Sequence, residues 1–190
     1  MRKLVVSEFM SLDGVMEDPG GETTYKHGGW TRPFAGEKFM QFKSEELFAS
    51  STLLLGRVTY DGFAKAWPKM MDMGPFAEKM NKMKKFVVST TLTDPTWENS
   101  EVISEDVVQK IAQLRDQAGE NILVAGSSGL LKTLIDHDLV DEYRLLLYPL
   151  VLGTGKRLFE ANESARLDLI QSDDLGNGVV SLIYRPVRSQ

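Results

Sequence analysis

Three times along this chain a short apolar run stops at glycine or a hydroxyl residue, and twice a helical pattern resumes at once. Leu53-Leu54-Leu55 stops at Gly56-Arg57, Phe86-Val87-Val88 at Ser89-Thr90-Thr91, and Ile122-Leu123-Val124-Ala125 at Gly126-Ser127-Ser128-Gly129. Short continuous apolar runs bounded in this way read as strands covered on both faces, and the helical stretches between them supply parallel crossovers. Further elements follow the same logic. Leu4 to Met10 is a strand entering a long loop that runs to Pro33, and 35–50 has amphipathic helical spacing. Val58 to Trp67 is a short helix stopped by Pro68, and Val102-Ile103 a short strand. Ser104 or Asp106 can cap a helix running to Ala118, and Leu130 to Asp136 is helical. Glu142 to Leu152 is strand-like but broken by Pro149, and Arg166 to Gln171 with Val179 to Val187 alternate as a terminal antiparallel pair. The expected fold is α/β, one domain over 1–190, with a mostly parallel mixed sheet and an antiparallel C-terminal edge.

Composition narrows the chemistry. Lys and Arg number 22 against 27 Asp and Glu, a net charge of −5, so no global positive field exists to hold a nucleic-acid backbone. With 0 cysteines, thiolate catalysis and Cys-based metal sites are out of reach, and the 2 histidines, His27 and His137, lie far apart. No metal is expected. The N-terminal apolar stretch is interrupted by Glu8, too early for a signal peptide, and no segment has the length of a membrane span. A cytoplasmic protein is expected.

The strand ends carry the candidate chemistry, because open α/β sheets bind ligands beyond the carboxyl ends of their strands. Gly126-Ser127-Ser128-Gly129 precedes a helix whose first N–H groups suit a phosphate, although such turns use Gly and Ser for capping in any case. It fits neither the Walker pattern, since Leu131 precedes Lys132, nor the G-x-G-x-x-G fingerprint. Gly56-Arg57-Val58-Thr59 puts a guanidinium and a hydroxyl at a second helix start, and Ser89-Thr90-Thr91 adds hydroxyls at a third strand end. Ser11-Leu12-Asp13-Gly14 ends the first strand, where Asp13 reads locally as a turn residue and alternatively as a polar substrate contact. The cluster Lys79, Lys82, Lys84 and Lys85 reads as a solvated face rather than a polyanion site.

Together these motifs, with Pro149-Leu150-Val151-Leu152-Gly153-Thr154-Gly155, resemble the dihydrofolate reductase superfamily. The resemblance is specifically to stand-alone relatives of the C-terminal reductase domain of the bifunctional riboflavin-biosynthesis deaminase-reductase. It implies a three-layer domain with helices on both faces of the sheet, binding NADPH and passing a hydride to a small heterocyclic or ribosylamino substrate such as 5-amino-6-(5-phosphoribosylamino)uracil. By resemblance, Gly56, Arg57 and Thr59 would hold cofactor phosphate oxygens, and Ser89 and Thr90 the 2′-phosphate side. Gly126, Ser127, Ser128, Gly129 and Leu130 would line the pyrophosphate and nicotinamide ribose. Ser11, Leu12, Gly14 and Trp30 would border the substrate, with Asp13 and then Glu37 as candidates for a catalytic role. A homodimer is also implied, with 145–152 as a contributor or merely a buried strand. Pteridine or folate reduction and binding without turnover are the alternatives. Three departures bear on these. Glu37, Glu45 and Glu46 flank the position of the folate-type carboxylate without falling in register, and Ala125 replaces the first glycine of a Gly-Gly pair joined by a cis peptide. No deaminase half accompanies the sequence, so a riboflavin role implies a separate deaminase.

Overall fold

The structure is a computed structural model and describes residues 1–159 and 164–188. Eight strands run β1 Leu4–Ser11, β2 Ser50–Gly56, β3 Lys84–Val88, β4 Ser100–Ile103, β5 Asn121–Ala125, β6 Glu142–Tyr148, β7 Leu167–Asp174 and β8 Val180–Pro186. Five α-helices accompany them: α1 Glu37–Phe48, α2 Arg57–Ala66, α3 Pro75–Lys82, α4 Val107–Asp116 and α5 Ser128–Asp136. The strands form one mixed sheet in the order β4-β3-β2-β5-β1-β6-β8-β7. β2 lies parallel to β3 and β5, and β3 parallel to β4, whereas β8 is antiparallel to both β6 and β7. This is the mixed α/β fold with an antiparallel edge that the sequence implies. The chain forms two compact units, Met1–Val5 with Ser44–Leu139, and Val6–Lys43 with the chain from Val140 onward.

In the first unit, Leu53, Leu54 and Leu55 of β2 are at most 1% exposed, as expected of a strand with parallel neighbours on either side. Leu53, Leu55, Tyr60, Met80, Met83, Val87 and Trp97 are among the residues of its core. The lysine cluster begins in a helix, α3, with Pro75 at its first position and Ala77 and Met80 buried, and runs on into β3. Its lysines make no free cationic patch. Lys82 pairs with Glu78 at 2.6 Å, Lys84 with Glu101 at 2.9 Å, and Lys79 with Glu120 at 3.8 Å. Lys85 is fully buried, 4.3 Å from the centre of the Trp97 ring, and donates to the carbonyls of Asn81, Met83 at 2.8 Å and Glu98 at 3.0 Å. Two of those carbonyls belong to the C-terminal end of α3 and its cap, so the amine closes the helix end that backbone bonds leave open. Burial lowers its pKa to about 8.

In the second unit, β6, β8 and β7 form the antiparallel edge, with Leu146 opposite Ser181 and Tyr143 opposite Tyr184. Tyr148 stands at the centre of an aromatic cluster, meeting Trp30 edge-on at 5.2 Å, Phe34 at 5.6 Å and Phe9 at 5.7 Å.

Several boundaries differ from the sequence expectation. β6 ends at Tyr148 rather than continuing to Leu152, because Pro149 cannot donate to a ladder. Leu145, Leu146 and Tyr148 are buried within this unit, which leaves Val151, 68% exposed, as the prominent apolar side chain of 145–152. α5 begins at Ser128, two residues before Leu130. Asp106 does occupy the N-cap of α4, but with left-handed backbone (φ 50°) and no side-chain capping bond.

Asn81 holds the first unit's helical side together. Its Nδ2 donates to Ala77 O at 2.9 Å and Trp67 O at 3.1 Å, and its Oδ1 accepts the Trp97 indole N–H at 2.7 Å. Asn81→Ala leaves that buried indole donor unanswered and is expected to cost roughly 2 to 4 kcal/mol of stability, read from urea unfolding. A loss below about 0.5 kcal/mol, the range of ordinary surface changes, would contradict this role.

Candidate functional site

The carboxyl ends of β2 and β5 carry the two glycine turns, and one hydroxyl ties them together. Gly56 N–H donates to Ser127 Oγ at 2.7 Å, and the Ser127 hydroxyl donates to Thr59 Oγ1 at 2.9 Å. The order of donors leaves the Thr59 proton for a further acceptor. Side chains are barred at both glycines. A Cβ at Gly56 would sit 2.9 Å from Ser127 Cβ and Oγ, and one at Gly126 (φ +60°) 2.8 Å from Thr59 Oγ1. Ser127 itself is left-handed, at φ 75° and ψ 60°, and its side chain does not cap α5. Its hydroxyl is instead spent on Gly56 and Thr59. The first N–H groups of α5, from Ser128, Gly129 and Leu130, have no intrahelical acceptor and form a donor set suited to an anion. Leu130 is buried at 6% exposure, while Gly129 is exposed and a Cβ there would meet nothing within 4 Å. Every described peptide bond is trans, including Ala125–Gly126.

Arg57 opens α2. Its Nε donates to both Asp61 oxygens, at 2.9 and 2.8 Å, and its Nη1 reaches Thr91 Oγ1 at 3.4 Å. Ser89 is 8% exposed and turned into its own loop, accepting from the amides of Thr91 at 3.2 Å and Leu92 at 3.1 Å. Ser89 therefore shapes the turn, and the exposed hydroxyls at this strand end belong to Thr90 and Thr91. Thr91 is one of the hydroxyls that the sequence puts at this strand end, and the turn that Ser89 closes brings it to Arg57.

In the second unit, the segment after β1 is stitched to 150–157. Leu12 N donates to Leu150 O at 2.8 Å, Met16 N to Lys156 O at 2.9 Å, and Val15 bridges Arg157. Asp13 is the main clasp: its carboxylate accepts from Ser11 Oγ at 2.7 Å, Gly153 N at 2.8 Å and Leu152 N at 3.1 Å. The Ser11 hydroxyl and then the Leu152 amide, with Gly153, outweigh the effect of burial and bring its pKa down to about 2. At neutral pH the group is an anchor with no proton to give. Ser11 is fully buried, Leu12 is 59% exposed, and Gly14 turns the chain at φ +81°. Trp30 is 7% exposed, donates from its indole to Glu17 O at 2.8 Å and packs on Tyr148. Glu37 is exposed in the first turn of α1, Glu45 is exposed, and Glu46 is buried. The structure brings Gly56, Thr59 and Ser127 together, and Arg57 to Thr91, in the first unit; Ser11 to Gly14, Trp30 and Glu37 belong to the second, where no hydrogen bond joins Trp30 or Glu37 to Ser11–Gly14 among the described residues. Among the described residues no group of three or more His, Asp or Glu side chains could hold a metal ion, and no helix is long and apolar enough to cross a membrane.

Comparison with known proteins agrees with the fold. Residues 2–181 match the family profile of the RibD C-terminal domain. Protein YyaP of Bacillus subtilis (strain 168), described as uncharacterized, is 28% identical over 96% of this chain and 94% of its own. The diaminohydroxyphosphoribosylaminopyrimidine deaminase/5-amino-6-(5-phosphoribosylamino)uracil reductase of Thermotoga maritima superposes with a TM-score of 0.65 at 16% identity, covering 98% of this chain and 57% of that one. Dihydrofolate reductase from Enterococcus faecalis, solved with NADP(H) and RAB-propyl, gives 0.63 at 16% identity over 97% and 96%.

Two predictions test the local physics. Gly126→Ala and Ser127→Ala are each expected to lower stability by roughly 1 to 3 kcal/mol, the first through positive φ and overlap with Thr59, the second by removing the acceptor of Gly56 N–H. Gly129→Ala, at an open helical position, should be neutral or stabilising by up to about 1 kcal/mol. Equal losses in all three by urea unfolding would contradict the interlock. For Asp13 the folded pKa is depressed, so its contribution is complete above the unfolded value of about 3.9 and fades as pH falls through about 2. Asp13→Asn should be roughly 1 to 3 kcal/mol less stable at pH 7. That gap should narrow between about pH 4 and 2; a gap independent of pH there would show that the carboxylate charge is not what the clasp uses.

Proposed function

The chain belongs to the RibD C-terminal domain family, and on that premise we propose that it is a cytoplasmic NADPH-dependent reductase. Its substrate class is a small heterocyclic or ribosylamino compound of the kind named for the Thermotoga reductase, 5-amino-6-(5-phosphoribosylamino)uracil. The observation that carries the reading is the Gly56–Ser127–Thr59 interlock. It brings a helix start with unspent N–H groups, a hydroxyl with its proton still to give and the Arg57 guanidinium to neighbouring strand ends of one unit. That donor set fits a dinucleotide bearing phosphates, and glycine at 56 and 126 is what lets the two turns approach.

When bound, NADPH supplies the hydride. In this reading the amides of 128–130 and the Thr59 hydroxyl bind pyrophosphate oxygens, and Arg57 with Thr90 and Thr91 binds the 2′-phosphate. Asp13 acts through the loop it holds, keeping Leu12 and Gly14 in a fixed conformation at the end of β1. The second reading, binding without turnover, is favoured by one observation: Asp13 is ionised and engaged, and Glu37 is solvent-exposed, so neither is a buried proton donor. We further propose a homodimer, for which the exposed Leu169 and Ile170 at the bulged edge strand β7 offer apolar surface.

Calorimetric titration with NADPH and NADH is the first test. NADPH is expected to bind the more tightly, and Arg57→Ala to weaken NADPH by roughly 10- to 100-fold, the cost of a charged hydrogen-bond partner, while NADH changes little. Equal effects on both cofactors would contradict the role of Arg57, and no binding of either would sink the reductase reading. NADPH oxidation against ribosylaminopyrimidine and pteridine panels separates turnover from binding alone. Light scattering after size exclusion should give twice the chain mass of 21.3 kDa, a clean monomer counting against the dimer.

A further inference from the structure

We propose that Asp61 is a positioning residue that holds the Arg57 guanidinium ready for an oxyanion and thereby sets the preference for a cofactor carrying a 2′-phosphate. This rests on Arg57 being the phosphate-facing residue of the cofactor site. An exposed i,i+4 ion pair ordinarily contributes little and has no ligand role. The geometry here is particular. Asp61 takes Nε with both of its oxygens, at 2.9 and 2.8 Å, while Nη1 is directed to Thr91 Oγ1 at 3.4 Å. Thr91 is itself backed by Ser89, whose Oγ lies 3.4 Å from Thr91 Oγ1 and accepts the Thr91 amide at 3.2 Å.

The guanidinium is therefore held at two points, from α2 by Asp61 and from the turn after β3 by Thr91. Its Nε edge is occupied, and terminal N–H groups remain for a planar, two-pronged contact with phosphate. A side chain ordered beforehand loses less freedom on binding, so the benefit falls only on ligands that use it. The Asp61 charge works in the opposite direction by repelling a phosphate. Both partners are partly exposed, 38% and 52%, so that repulsion is screened by water and salt. Orientation is the larger effect. Asn at 61 keeps an acceptor for Nε and removes the charge, and so separates the two.

The test is calorimetry on the full chain with NADPH, NADH, 2′,5′-ADP and 5′-AMP at fixed ionic strength, with thermal midpoints confirming that each variant is folded. Asp61→Ala is expected to weaken NADPH and 2′,5′-ADP by about 3- to 10-fold, the effect of one long side chain ordered only on binding. NADH and 5′-AMP should stay within about 2-fold, as for an ordinary surface pair. Asp61→Asn should keep the wild-type preference, and Thr91→Val should lose part of it. If Asp61→Ala leaves the NADPH to NADH ratio unchanged or raises it, while Arg57→Ala collapses that ratio, the positioning role is wrong and the cofactor site stands. If Arg57→Ala does not change the ratio either, the site reading fails, and this inference with it.

Discussion

The Ser127 hydroxyl is the contact on which the candidate cofactor site depends. β2 and β5 lie side by side in parallel register, Leu54 opposite Val124, so their carboxyl ends and the helices that follow are forced close together. At that spacing a side chain on Gly56 or Gly126 would overlap Ser127 or Thr59, and the Gly56 N–H would be left facing another turn. Ser127 answers that N–H and passes the bond on to Thr59. The left-handed backbone of Ser127 costs about 1 to 2 kcal/mol, and two hydrogen bonds of ordinary strength offset it. A serine that capped its own helix would do neither. The unusual backbone and the missing cap thus have one cause, and their result is a helix start with its N–H groups unspent.

The second unit solves a different problem with a different device. The chain from Ser11 to Pro33 is long for a connection, and such loops are commonly mobile. Here ionised carboxylates order it. Asp13 gathers the amides of Leu152 and Gly153. Burial opposes ionisation of Asp18, but the Thr23 hydroxyl and the amides of Glu22 and Thr23 outweigh it and hold its carboxyl below the usual range. Glu17 accepts the Lys156 amide at 3.1 Å, and Tyr25 donates to the Thr154 carbonyl. A carboxylate can accept several N–H groups at once, so a few acidic residues replace the ladder this segment does not have. The aromatic cluster around Tyr148 then takes Trp30 and Phe34 from the same stretch into the core.

What could be read from the sequence follows from the range of each interaction. Strand ends were legible because an apolar run ending in Gly or Ser is a local signal, and β2, β3 and β5 lie close to where that signal puts them. The ordered motifs also identified the family, since resemblance integrates over the whole chain. The partners of individual side chains were not legible. Ser127 meets Gly56 across 71 residues and Asp13 meets Leu152 across 139, distances at which no periodicity operates. The burial of Trp30 against Tyr148 was not legible either, because a tryptophan in a glycine-rich loop carries no local sign of it. Helix α3 and Lys85 were obscured for a related reason: a lysine beside other lysines reads as surface, and the Glu98 carbonyl that helps bury it comes from a separate loop.

An anion bound at these strand ends would approach a chain whose net charge is −5. Cations are largely consumed by neighbours: Lys82 by Glu78, Lys84 by Glu101, and Lys85 by carbonyls and the Trp97 ring. Such pairs cancel at a distance, and salt screens what remains. Long-range attraction is therefore a poor basis for selectivity in this protein. In the proposed cofactor site, recognition rests on donors at contact distance, where geometry decides: amides at a helix start, the Thr59 hydroxyl, which accepts from Ser127 and keeps its own proton, and a guanidinium engaged through Nε that retains terminal N–H groups. Two of these donors are held by neighbouring side chains, Thr59 by the Ser127 hydroxyl and Arg57 by Asp61. Selectivity for phosphate at the proposed site would thus depend on residues that hold the donors in place as much as on the donors themselves.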